Sequence, residues 1–178
     1  MKIHRLCTVL AAGAALFACA TVIFAGDAPK AGDKAPLIEG KDPDGRNWKL
    51  ADALEKNVVL LYFYPKDNTP GCTVEACSLR DRMSDLQKDG VIVVGVSFDD
   101  AASHKKFIAD HHLNFLLLTD TDGKIADAFG ARMPGKNMAR RISFLIGKNG
   151  RILHVTDSSK VDPHIEEMKE AVEKLKKS

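Results

Sequence analysis

Apolar residues fall along this chain in short continuous runs separated by amphipathic stretches. Residues 57–64 (NVVLLYFY) form an uninterrupted β-branched, aromatic and aliphatic run, closed by Pro65. Residues 91–98 (VIVVGVSF) form a second. Runs of this length without polar alternation predict strands buried on both faces. Residues 116–118 predict a short third strand and 142–146 (ISFLI) a fourth. The turn signal Lys148-Asn149-Gly150 then leads into 151–156, a predicted hairpin partner. Between the runs the period changes. Residues 73–88 place Ala76, Leu79, Met83 and Leu86 at spacings of three and four, which predicts a helix. Residues 101–111 predict a second helix and 124–129 a short third. Residues 162–177 predict a terminal amphipathic helix with Ile165, Met168, Val172 and Leu175 on one face. Asp42-Pro43-Asp44-Gly45 reads as a turn and residues 27–34 as a linker. The order β-α-β-α-β, then a hairpin and a last helix, predicts an α/β domain with a central mixed sheet flanked by helices.

The first residues break this pattern. Lys2, His4 and Arg5 precede an apolar stretch over 6–25, with no acidic residue before Asp27. That profile predicts a secretory signal over residues 1–25, cut after Ala25, and a mature domain over 26–178. The competing readings are an uncleaved membrane anchor and a lipoprotein joined through Cys19. Removing Lys2 and Arg5 leaves 24 of 26 basic residues against 24 acidic ones, a mature net charge near zero. No basic tract argues for nucleic acid, and a membrane partner enters only if the segment stays attached. Cys7 and Cys19 would leave with it, so the exported, periplasmic protein keeps two cysteines, Cys72 and Cys77. A domain of roughly 150 residues builds a core without staples, which leaves those cysteines free for chemistry.

Active groups in such sheets lie just past the carboxyl end of a strand, and that directs attention to 65–77 (PKDNTPGCTVEAC). Cys72 follows Pro70 and Gly71 and opens a helical pattern. Unpaired N–H groups and the positive end of the dipole stabilise an anion there. A free thiol titrates near about 8.5, and a helix start or a neighbouring Arg lowers that value. Cys77 lies five positions on. In an intact helix that spacing separates the Cα atoms by about 8.7 Å, from the rise and radius. A disulfide needs less than about 7 Å. Either the two bond at another stage, after local unwinding, or Cys77 is a plain core residue. The spacing is not the Cys-x-x-Cys of a thioredoxin-type dithiol.

Pro65-x-x-x-Thr69-x-x-Cys72 resembles the peroxiredoxin active-site motif, and YFYPKDNTPGCTVEACSLRD resembles the bacterioferritin comigratory protein, or peroxiredoxin Q, subgroup. GVSFDDAASHKKFI, LLLTDTDGKIADAFGA and RRISFLIGKNGRILHV extend the resemblance over most of the mature chain. It implies a thioredoxin-like fold and an antioxidant thiol peroxidase that needs no cofactor. Hydrogen peroxide and organic hydroperoxides would be the substrates, and thioredoxin or a similar dithiol the reductant. Cys72 would attack the peroxide and become a sulfenic acid. Cys77 would resolve it to a Cys72–Cys77 disulfide. Thr69 would offer its hydroxyl to peroxide and thiolate, and Pro65 would shield the site. Arg141 would stabilise the thiolate and the charge developing on oxygen, with strand alternation turning only one of Arg140 and Arg141 inward. Both cysteines lie in one chain, which implies a monomer.

Other polar residues read more plainly. Glu75 is expected to favour the helix dipole, Arg80 and Asp81 to lie on a solvated face or match family positions, and His111 and His112 to lie at the surface. Asp120-Thr121-Asp122-Gly123 fails as a calcium loop, because Gly falls at the fourth position and Ala131 stands where Glu is required. No metal spacing is present. Two other classes remain: an exported thiol–disulfide oxidoreductase, which predicts Cys-x-x-Cys, and a copper-binding thioredoxin-fold protein, which would recruit His104, His111 or His112.

Overall fold

The computed structural model describes residues 27–176. The proposed signal segment, with Cys7 and Cys19, lies outside the described residues, as does Lys177. Seven strands form one mixed sheet: β1 (Glu39–Lys41), β2 (Asn47–Lys49), β3 (Val58–Phe63), β4 (Val91–Ser97), β5 (Leu116–Thr119), β6 (Ile142–Ile146) and β7 (Ile152–Asp157), ordered β2-β1-β5-β4-β3-β6-β7. The central strands β3, β4 and β5 are parallel, and β6 runs antiparallel beside β3. Five helices complete the domain: α1 (Leu50–Leu54), α2 (Pro70–Lys88), α3 (Ala101–His111), α4 (Lys124–Ala128) and α5 (Asp162–Leu175). No described helix is long and apolar enough to cross a membrane.

The sheet has a core on each face, which is why its central strands are apolar throughout. From β3, Val59, Leu61 and Phe63 enter one core with Ile142, Phe144 and Ile146 of β6. Leu60, Tyr62 and Tyr64 enter the other, with Ala76 and Leu79 of α2, Phe107 of α3 and Met168 and Val172 of α5. On the first face Phe63, Phe129 and Phe144 pack with ring centroids 5.0–6.0 Å apart. On the second, the Tyr62 ring lies over Gly95, where a Cβ would come within 2.8 Å of the ring.

The predicted strands and four helices are all present, with three differences. The hairpin β1–β2 and helix α1 arise where only a turn was read; their strands are three residues long, too short for a periodic signal. Helix α2 starts three residues early, with Thr69 as N-cap and Pro70 in its first turn. Proline fits there because that N–H has no helical partner anyway. The expected linker is fastened to the β6–β7 hairpin, with Gly32 N–H donating to Ile152 O and Ala35 N–H to Gly150 O.

Candidate active site

Strand register brings the site together. Phe63, at the carboxyl end of β3, pairs with Ile142, at the start of β6. The residues just past one and just before the other therefore meet: the loop 65–69, the first turn of α2, and Arg141. Alternation settles the arginine register. Arg141 shares the parity of Ser143 and Leu145 and turns toward α2, where its side chain is buried. Arg140 turns away, donating to Gly130 O and pairing with Asp157.

Cys72 sits in the first turn of α2 and is 1% exposed. The Arg141 Nη2 donates to its Sγ at 3.3 Å. Gly71 permits this approach, since a Cβ there would lie 3.3 Å from the same Nη2. The sulfur thus faces a guanidinium and the positive end of a nineteen-residue helix, two fixed sources of positive charge. Cys77 is half-buried one and a half turns on. Both cysteines are free, and the helix between them is unbroken. Pro65 is half-buried at the end of β3. Thr69 donates its hydroxyl to Lys66 O at 3.1 Å, inside its own turn.

Glu75 departs from expectation. Because α2 begins at Pro70, Glu75 lies one turn beyond Cys72 on the same inward face, not in the first turn. It is 1% exposed and accepts a hydrogen bond from the Arg141 Nη1. Burial drives its pKa up to about 7, against the pull of Arg141. The guanidinium is therefore shared between Cys72 and a carboxyl group, while its Nε and the Glu75 Oε1 are buried with no hydrogen-bond partner among the described residues. Behind them His164 of α5 places Nδ1 3.9 Å from Glu75 Oε1 and 2.8 Å from the Ser143 hydroxyl. Burial lowers the His164 pKa, which favours the neutral ring. The signal for Glu75 was its spacing: Cys72, Glu75, Ala76 and Leu79 define one inward stripe.

His104, His111 and Arg80 are also more engaged than the sequence suggested. His104 is fully buried against Asp67 and is not free to bind copper. His111 is half-buried, 3.1 Å from Asn68 Oδ1 and edge-on to Phe107, because α3 lies beside the loop 65–69. His112 ends α3 in the left-handed conformation and is exposed. Arg80 pairs with Asp81 and also donates to His111 O. The Asp120 carboxylate accepts the N–H groups of Ile125 and Ala126 at the start of α4.

Residues 31–155 match the AhpC/TSA family. The chain is 44% identical over 141 residues to peroxiredoxin Bcp of Escherichia coli K12, covering 76% of this chain and 90% of that one. Its fold resembles the crystal structure of peroxidoxin BcpB from Mycobacterium tuberculosis, with a TM-score of 0.74 and 32% identity, covering 83% of this chain and 96% of that one. It also resembles the Xanthomonas campestris bacterioferritin comigratory protein, described for its alkyl peroxide reduction activity, with a TM-score of 0.71 and 28% identity, covering 83% and 98%.

Proposed function

The chain belongs to the AhpC/TSA family and is a peroxiredoxin of the Bcp type, a thiol peroxidase, and within that activity we propose that Cys72 is the residue oxidised by peroxide and Cys77 the residue that resolves it. The observation that carries the assignment is the Arg141 Nη2 contact to Cys72 Sγ at the head of α2. The thiolate attacks one peroxide oxygen, the O–O bond breaks, and the leaving oxygen takes a proton to depart as water or alcohol. Cys72 becomes a sulfenic acid. Arg141 stabilises the anionic sulfur first and the charge on the leaving oxygen next. The Cys77 thiol then displaces the sulfenic hydroxyl as water, giving the Cys72–Cys77 disulfide. An intact α2 holds the two Cα atoms about 8.7 Å apart, so its first turns unwind for this step. A thioredoxin-like dithiol returns both cysteines to thiols. Thr69 and Pro65 lie in the loop that leads to Cys72 and would meet the incoming peroxide, the Thr69 hydroxyl leaving Lys66 O for the substrate.

Reduced protein mixed with stoichiometric hydrogen peroxide tests the assignment. Wild type loses two thiols fast as the disulfide forms, Cys77→Ser loses one, and Cys72→Ser loses none at that rate; oxidation at the rate of a free thiol in all three would refute it. With thioredoxin and its reductase present, Cys77→Ser fails to turn over. For organic hydroperoxides, the likeness to the Xanthomonas campestris protein supports the same chemistry. We place the working protein outside the cytosol as a monomer, with residues 1–25 as its signal. Intact mass of the protein recovered from the periplasm of an expressing bacterium checks the cut after Ala25.

A further inference from the structure

We propose that His104 is a cationic positioning residue: an imidazolium that uses both ring N–H groups to lock the Asp67 carboxylate, and with it the loop 65–69, onto α3 and β5. The inference rests on the assignment of Cys72 as the oxidised residue, since the locked loop leads into the helix that presents it.

Hydrogen-bond accounting fixes the ring's protonation. His104 Nδ1 lies 2.9 Å from Asp67 Oδ2, and Nε2 lies 3.3 Å from Leu118 O. A backbone carbonyl only accepts, and so does an ionised carboxylate. Both Asp67 oxygens already act as acceptors, Oδ1 from the Tyr64 hydroxyl at 2.7 Å and Oδ2 from the Ser103 hydroxyl at 2.8 Å, the arrangement of an ionised carboxylate. A neutral imidazole has one N–H and meets only one of these acceptors. The Tyr64 hydroxyl does not relieve the conflict. It is 3.5 Å from Nδ1 and is committed to Asp67 Oδ1 at 2.7 Å. With both side chains 2% exposed or less, a charged pair is also the arrangement that leaves no buried donor or acceptor unmet.

The clamp sits where it can steer the site. Asp67 accepts a third hydrogen bond from Ser103 of α3, and its own N–H donates to Asp99, which is held in turn by Ser97 at the end of β4. The next residue, Asn68, has φ 54°, a left-handed backbone that Asn tolerates, and it reaches His111 of α3. The loop's side-chain tethers thus run to α3 and to the residues after β4. None of them runs to α2, the element that opens in the proposed cycle. The loop as far as Asn68 is thereby held independently of α2 while Cys72 moves. The titratable groups facing the clamp are Asp67 and Tyr64 directly and Asp99 through Ser103.

Reduced wild-type protein labelled with 13C and 15N provides the test, read by two-bond 1H–15N correlation at pH 7, with the His104 ring assigned through bonds from its own backbone amide. Both His104 nitrogens are expected in the imidazolium range; one unprotonated ring nitrogen overturns the proposal. Oxidation of Cys72 by hydrogen peroxide in Asp67→Asn and His104→Gln is expected to slow roughly ten- to a hundredfold, the scale of an ångström's misplacement. Full-rate oxidation in both variants overturns the positioning role. The wild-type spectrum decides the charge state even if a variant fails to fold. Failure of wild-type Cys72 to react with peroxide would count against the functional assignment and not against the clamp.

Discussion

Replacing Glu75 by Gln removes an ionisable group from the most enclosed part of the site, and the effect on stability has a definite sign. The folded-state pKa of Glu75 is raised from 4.5 to about 7, mainly by burial. A carboxyl whose folded pKa lies above its unfolded one binds its proton more tightly in the folded chain. Its contribution is therefore fully present below 4.5 and is lost as pH rises to about 7. Two and a half units at about 1.36 kcal/mol each come to roughly 3 kcal/mol. Wild-type protein should lose that much stability over the interval from this group, and Glu75→Gln should not. Urea unfolding of both proteins, kept reduced, at several pH values between 4.5 and 7.5 measures the difference. Asp120, whose pKa burial raises to about 6, titrates alike in both and cancels. With urea slopes of about 1–3 kcal/mol/M, the gap between midpoints should change by on the order of 1 M or more across the series. If that gap is the same at every pH, burial does not raise the Glu75 pKa in the folded chain, and the reading of a carboxyl that keeps its proton toward neutral pH fails.

Arg141→Ala should slow Cys72 oxidation by about 10²–10³-fold, the scale of losing one preorganised donor at developing charge. Arg141→Lys should recover little of it, because an ammonium does not span Cys72 and Glu75 as the guanidinium fork does; stopped-flow rates with hydrogen peroxide compare them, and a full-rate alanine variant would remove Arg141 from the mechanism. Gly95→Ala should cost about 1–3 kcal/mol, since its Cβ would lie within 2.8 Å of the Tyr62 ring and the Leu117 side chain; an unchanged urea midpoint would mean the ring yields freely. Amides around Cys72 to Cys77 should exchange faster in the disulfide form than in the reduced form, and a protected helix in the oxidised protein would exclude unwinding.

The central sheet was legible because its strands are apolar on both faces and have no competing period. The pair β1–β2 was not, since Glu39–Lys41 and Asn47–Lys49 gain their conformation from neighbours and not from their own sequence. At the site, the motif located Cys72, Thr69 and Pro65 in the chain, and strand alternation limited the inward arginine to one of two. Glu75 was misread because its role depends on where α2 begins. A start at Pro70 moves the carboxyl from the solvated first turn to the inward stripe. His104 was illegible for a different reason. Its partner Asp67 is 37 residues away, and nothing local marks a histidine whose two nitrogens both face acceptors.

The unbroken helix between the two cysteines also sets a clock. In the proposed cycle the sulfenic acid waits for α2 to open before Cys77 arrives, and during that wait a second peroxide molecule competes for the same sulfur. The prize of that race is the sulfinic acid, which Cys77 cannot repair. Each 1.36 kcal/mol added to the closed form of this segment lengthens the wait about tenfold. A substitution that makes the first turns of α2 sturdier would thus make the protein more easily inactivated by what it consumes. Durability under oxidant load and resistance to unfolding pull this segment in opposite directions.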